Sequence, residues 1–128
     1  MARVLRQREK PLDWIGSSKK DFLAFPSQVR DQMGAALGLA QFGGKHPSAK
    51  PWKGLGAGVF EIVENFDGNA YRAVYMVRFL EVVYVLHAFQ KKSPQGIKTA
   101  LLDVDLVDRR LKLAKRDYEI RYGHSTPR

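Results

Sequence analysis

Positively charged side chains interrupt and follow two apolar strands that the sequence predicts in its second half. Arg72 lies inside the run Tyr71–Tyr75, and Lys91-Lys92 directly follow the run that begins at Val82. A charge within a strand faces either water or an anion, because burying it unpaired is costly. Three more lysines lie upstream, at Lys45, Lys50 and Lys53. This set predicts a phosphate-binding face on a small sheet.

The composition favours a polyanionic partner. The chain has 128 residues, with 22 Lys and Arg against 13 Asp and Glu, for a formal charge of +9. Such an excess in a small domain is typical of proteins that bind nucleic acid, an anionic membrane or an acidic protein. The absence of cysteine excludes a disulfide framework, a thiolate metal site and a cysteine nucleophile.

The length and hydropathy of the chain predict a single cytoplasmic domain. The length suffices for one core, and no apolar run approaches the roughly 18 residues of a membrane-spanning helix. The basic start Met1–Lys10 lacks a following apolar stretch, so it does not read as a signal peptide. We expect residues 1–10 and 124–128 to be loosely ordered.

The first third of the chain predicts a strand followed by two helices. Pro11–Gly16 alternates apolar and polar residues, as a short strand does. Ser17 or Ser18 can cap a helix that Pro26 ends, and Ser27 can cap the next. In the second helix, Gln28–Phe42, apolar residues recur at spacings of three and four: Val29, Met33, Ala36, Leu37 and Ala40.

The rest of the chain predicts a strand meander and a final helix. The glycine- and lysine-rich run Gly44–Gly58 reads as an exposed loop. Three strands follow, joined by a turn at Asp67-Gly68-Asn69 and by a tight connection at Leu80-Glu81. Their bounds are Val59–Phe66, Tyr71–Phe79 and Val82–Gln90. The last helix runs from Asp103 to about Tyr122, with an apolar seam of Val104, Val107, Leu111, Ala114 and Tyr118.

This order predicts an α+β fold with helices on one side of an antiparallel sheet and the other side open. Strand alternation then assigns side chains to the two faces. In the second meander strand, one face carries Arg72, Val74, Met76 and Arg78. In the third, one face carries Val83, Val85, His87, Phe89 and Lys91.

Four motifs in this order resemble the RelE/ParE toxin superfamily, most closely its phage-derived HigB-like branch. They are a "K-x-L-x-G" loop, a strand with a "W/F-E-L-R" core, a "Y-R-V-x-Y" strand and a strand ending "L-H-x-F-x-K-K". The matching segments here are Lys50–Gly56, Gly58–Ile62, Tyr71–Tyr75 and Leu86–Ser93. The resemblance implies a RelE-like small antiparallel sheet with an N-terminal helical hairpin on one face and a C-terminal helix.

The resemblance also implies a function. The chain would be the toxin of a type II toxin–antitoxin system, cleaving mRNA on the ribosome without a metal or other cofactor. The RNA 2′-OH would attack the adjacent phosphate, leaving a 2′,3′-cyclic phosphate. The implied partner is an antitoxin with a helix-turn-helix domain, similar to HigA.

The resemblance assigns roles to individual residues. Arg72 matches the arginine of the strand motif and would clamp the phosphate, since its planar fork suits two phosphate oxygens. Cleavage needs cations to stabilise the phosphorane, a base and an acid. The implied catalytic set is Arg72, Lys92, His87 and Glu61. The implied RNA-binding set is Lys45, Lys50, Lys53, Arg78 and Lys91.

Two alternatives stay open. Arg72 can instead be the cross-strand partner of an acidic residue such as Glu61, and His87 can be a buried, satisfied side chain. The chain also departs from the family pattern, with Val63 where many members have arginine and no tyrosine or histidine in Ser93–Thr99. A protein of the same fold without nuclease activity, such as a ParE-like gyrase inhibitor or an orphan phage-derived module, is therefore the second hypothesis.

Overall fold

Eight elements follow one another in the parts of the chain that this computed structural model describes, residues 8–91 and 97–123. They are β1 (Leu12–Trp14), α1 (Ser18–Leu23), α2 (Ser27–Gln41), β2 (Ala49–Pro51), β3 (Val59–Phe66), β4 (Asn69–Met76), β5 (Val83–Lys91) and α3 (Ile97–Tyr122). The α+β class is as predicted, and so is the order of elements except for β2, which lies in the segment predicted as a loop. None of these helices has the length and apolar character needed to cross a membrane.

One five-stranded sheet, in the order β1-β5-β4-β3-β2, forms the centre of the fold. The pairs β2–β3, β3–β4 and β4–β5 are antiparallel, which confirms the predicted meander. Asp67 and Gly68 both have positive φ, 52° and 81°, as do the two central residues of the type I′ turns that close tight hairpins. Strand β1 adds a parallel edge beside β5, and the predicted loop Gly44–Gly58 contains the short edge strand β2.

The helical hairpin covers one face of the sheet. All five predicted apolar residues of α2 are buried, and they form a core with strand residues such as Ile62 and Tyr75. The N-cap residue of α2 is Pro26, whereas Ser27 was predicted. We call this side the hairpin face.

The second face is covered by α3, so the prediction of an open face is wrong. Val107, Leu111, Ala114 and Tyr118 pack there against strand residues that include Val74, Tyr84 and Leu86. Val104, predicted in the same seam, is 40% exposed. The reason lies in β4, where Val74 and Met76 alternate with Ala73 and Tyr75, so both sides of the strand are apolar and both need cover. We call this side the α3 face.

A β-bulge between β4 and β5 changes which side chains share a face. Val74 pairs with His87, but its neighbour Tyr75 pairs with Val85, which leaves Leu86 without a partner in the ladder. Because the extra residue shifts the alternation, Val83 and Val85 lie on the hairpin face. His87 and Phe89 lie instead on the α3 face, which corrects the predicted grouping of these residues.

Candidate functional site

Arg72 and Glu61 form an ion pair on the α3 face. Arg72 Nη1 lies 2.9 Å from Glu61 Oε1, and the two side chains are 25% and 16% exposed. Arg72 pairs with Val63 in the ladder and Glu61 with Val74, so the contact is diagonal across β3 and β4. Arg72 Nε is buried without a hydrogen-bond partner. The guanidinium is thus held by a carboxylate, and a ligand can reach only the part of the side chain that stays exposed.

Two further cations stand on the same face. Lys50 of β2 is the ladder partner of Glu61 and is exposed. Lys91 ends β5, two residues beyond Phe89, and is also exposed. Phe89 itself is the ladder partner of Arg72. Lysine, glutamate, arginine and an aromatic ring therefore form a row across four neighbouring strands.

Other residues predicted for the site lie elsewhere. Lys45 stands 5.2 Å from the ring centre of Phe60, which packs on the hairpin face. Lys53 is exposed in the turn between β2 and β3. Arg78 donates to two carbonyl oxygens of that turn, Leu55 at 2.6 Å and Ala57 at 3.0 Å, and so fixes its shape. Lys92 lies outside the described residues.

His87 is buried, and it joins the sheet to α3. Its Nε2 lies 2.9 Å from Asp103 Oδ1, while its Nδ1 is buried without a partner. Its ring stacks on Phe89, with centres 4.4 Å apart and planes 17° apart. Burial lowers the pKa of His87, and the hydrogen bond and charge of Asp103 oppose that shift only in part. The imidazole is therefore neutral at pH 7, and its Nε2–H donates a hydrogen bond to Asp103 Oδ1.

No metal site accompanies this row of residues. Within residues 8–91 and 97–123, three or more histidine and carboxylate side chains nowhere come together to hold a metal ion. The groups that can act on a ligand here are cations, one carboxylate and aromatic rings. A phosphate-containing ligand suits that donor set, because guanidinium and ammonium groups bind phosphate oxygens directly.

Comparison with protein families decides the classification. A family model described as "Phage derived protein Gp49-like (DUF891)" matches residues 20–112. The chain belongs to this Gp49-like family. It is a family of RelE/HigB-type toxins, so the chain is placed among the toxins of toxin–antitoxin systems, which act with an antitoxin partner. The matched segment runs from α1 into α3 and contains Glu61, Arg72 and His87.

This Gp49-like toxin was also compared with curated proteins and with solved structures. No curated protein matches it significantly. Among solved structures, the free state of a double mutant of the E. coli toxin RelE is similar, with 23% sequence identity and a TM-score of 0.47. The alignment covers 63% of the Gp49-like chain and 82% of the RelE chain.

Sequence reasoning missed Asp103 as the partner of His87 in this Gp49-like toxin. Asp103 was predicted only as the residue where the last helix begins, whereas α3 begins at Ile97. The missed signal is its spacing, because Asp103 precedes Val107 by four residues and Leu111 by eight. A carboxylate on the same helical stripe as core residues needs a polar partner across the interface.

The buried histidine of this Gp49-like toxin predicts a pH-dependent stability. The pKa of His87 is lowered in the folded state, so below about pH 6.5 the unfolded chain binds a proton that the folded chain does not. The free energy of unfolding should therefore fall as the pH drops below that value. His87→Gln should remove part of this slope, measured by urea denaturation between pH 5 and 8. His46→Gln, at a loop histidine bonded to Ser48, is the control, and equal slopes in wild type and His87→Gln would contradict the prediction.

Proposed function

We propose that this toxin is a metal-free endoribonuclease that cleaves mRNA on the ribosome. The observation that carries the proposal is the Arg72–Glu61 pair on the α3 face, in which the arginine side chain is partly exposed. Lys50 and Lys91 stand exposed on either side of it. This arrangement supplies the positive charge that phosphate cleavage requires.

In the proposed reaction, Arg72 binds the scissile phosphate and stabilises the charge on the pentavalent phosphorus. Glu61 takes the proton of the 2′-OH on Oε2, the carboxylate oxygen that does not contact Arg72. The 2′-oxygen forms a bond to phosphorus as the bond to the 5′-oxygen breaks. Lys91 and Lys92 stabilise the leaving group, and water or a lysine ammonium supplies its proton. The products are a 2′,3′-cyclic phosphate and a 5′-OH.

The remaining cations hold the RNA backbone. Lys50 lies in β2 and Lys53 in the turn that follows it, and Arg78 keeps that turn in place through its two carbonyl contacts. Phosphate contacts of this kind make binding weaker as salt rises. The formal charge of +9 adds a long-range attraction to ribosomal RNA. His87, buried against Asp103 and Phe89, supports the site from within.

Mapping of cleavage sites tests this proposal. After induction of the toxin in cells, primer extension on translated mRNA should show cuts in phase with the codons. These cuts should disappear in Arg72→Ala and persist in Arg116→Ala, which removes an exposed arginine of α3. Growth arrest with intact mRNA would refute the nuclease.

A second candidate function is inhibition without cleavage, as in a ParE-like gyrase inhibitor or an orphan binding module. It is favoured by the burial of His87 against Asp103 and Phe89, which keeps the imidazole from serving as the general acid. A supercoiling assay with purified gyrase separates the two. Inhibition of supercoiling by wild type with no mRNA cleavage would establish the second function.

We also propose that the cognate antitoxin is a HigA-like protein with a helix-turn-helix domain. The proposal follows from the family, whose members act with an antitoxin. The check is the reading frame that adjoins the toxin gene. Co-expression of that frame should restore growth, and a neighbour that neither restores growth nor binds the toxin would exclude it.

A further inference from the structure

Phe89 occupies the point where the covered part of the α3 face ends. Residues 83–88 of β5 are buried, whereas Phe89 is partly exposed and Lys91 is exposed. Of the other aromatic side chains on β4 and β5, Tyr71, Tyr75 and Tyr84 are at most 8% exposed. Among the residues of these two strands, Phe89 is therefore the aromatic ring that a ligand can reach.

The ring of Phe89 is held in a defined plane. It lies nearly parallel to the imidazole of His87, at 4.4 Å and 17°. His87 is fixed in turn by its 2.9 Å contact with Asp103 on α3. A ring oriented in advance loses little conformational freedom when a flat ligand stacks on it. None of these three residues transfers a proton or binds the phosphate in the proposed reaction.

Two cations are neighbours of Phe89 in the sheet. Arg72 is the ladder partner of Phe89, and such partners have Cβ atoms about 5 Å apart. Lys91, two residues along the same strand, lies roughly 7 Å away. A single nucleotide can thus place its phosphate at Arg72 and its base at Phe89, with the next phosphate near Lys91.

We propose that Phe89 is a stacking platform for one nucleobase of single-stranded RNA. The inference rests on the proposed nuclease function and extends it to the way the RNA is positioned. The base stacks on the phenyl ring while Arg72 binds the adjacent phosphate, so the two contacts together fix which phosphate is cleaved. Every base has a π-face, so this contact positions the RNA without reading its sequence.

Binding of a short single-stranded RNA tests the platform. The probe carries one 2-aminopurine, whose fluorescence is quenched by stacking, and 2′-O-methyl groups that prevent cleavage. Wild type should quench it, and Phe89→Leu, which keeps an apolar side chain of similar bulk, should bind about tenfold more weakly without quenching. Phe89→Trp should retain both affinity and quenching.

A scan of abasic RNAs tests the same contact without altering the protein. Removing one base should weaken wild-type binding about tenfold at a single position, and Phe89→Leu should show no further loss at that position. Wild-type affinity that is insensitive to every base overturns the inference. A Phe89→Leu variant that binds and quenches like wild type also overturns the inference. If Arg72→Ala binds weakly in the same assay, that result leaves the nuclease proposal intact. Failure of wild type to bind the RNA at all counts against both.

Discussion

Arg72→Ala is expected to lower the rate of RNA cleavage by about 100- to 1,000-fold, the usual effect of removing one preorganised charge-stabilising donor. The loss follows from two features of the site. The guanidinium is partly buried, at 25% exposure, so its charge is screened less than that of a surface arginine. The guanidinium is also held in place by Glu61 at 2.9 Å, so it loses little conformational freedom when it binds a phosphate.

Arg72→Lys separates charge from geometry. The ammonium group keeps the charge but cannot offer two parallel donors to two phosphate oxygens, so we expect activity between those of Arg72→Ala and wild type. The measurement is single-turnover cleavage of mRNA bound to purified ribosomes, with Arg116→Ala as the control. Thermal unfolding of each variant is needed, since Arg72→Ala leaves Glu61 partly buried without its cation. Full activity of a folded Arg72→Ala protein would remove Arg72 from the mechanism.

Gly16→Ala is expected to lower the free energy of unfolding by about 2 kcal/mol, the second large effect. Gly16 has φ +60°, where a side chain costs roughly 1–2 kcal/mol. A Cβ there would also come within 2.9 Å of the Arg110 guanidinium. That guanidinium donates to the carbonyl oxygen of Leu86 in the bulge, at 3.0 Å, and to Ser17 Oγ. The added methyl group would therefore disturb the contact that joins α3 to the bulge.

Gly34→Ala is the matched control, with the opposite expected sign. Gly34 lies in α2, and a Cβ built there meets nothing within 4 Å. Alanine in a helix interior is favoured over glycine by about 1 kcal/mol, so this variant should be more stable than wild type. Urea denaturation at pH 7 measures both. A Gly16→Ala protein as stable as wild type would contradict the packing described for Arg110.

Coupling between Gly16 and Arg110 can be measured by a double-mutant cycle. Arg110→Ala leaves the Leu86 carbonyl of the bulge without its charged donor, a loss of about 1.5–3 kcal/mol. In the Gly16→Ala background that loss should be smaller, because the steric conflict has already displaced the guanidinium. Strictly additive effects would show that the two residues act independently.

Local patterns in the sequence determined much of this architecture. The predicted bounds of β3, Val59–Phe66, agree with the structure, and the helical spacing of apolar residues identified the buried side of α2. Asp67-Gly68 marked the hairpin between β3 and β4 because few other dipeptides adopt positive φ at both positions. These features depend on residues a few positions apart, which sequence periodicity reports directly.

Several residues of the candidate site could also be predicted from the sequence. Arg72, Lys50 and Lys91 were all chosen from the sequence, and the structure places them on one face. The alternative partner of Arg72, Glu61, was also named, and the ion pair forms. Whether Arg72 and Glu61 then act on RNA stays a prediction, since an ion pair is compatible with both a structural and a chemical role.

What only the tertiary structure decided is how distant elements meet. One extra residue, Leu86, shifts the alternation of β5 and moves His87 and Phe89 to the face that α3 covers. There His87 forms its hydrogen bond with Asp103, which lies 16 residues later in the chain. A bulge changes neither composition nor hydrophobic period enough to be seen in the sequence, because its cause is the packing of both sheet faces. The sequence by itself therefore determined the cations and the order of the helices and strands apart from β2, while packing decided which of those side chains share a face.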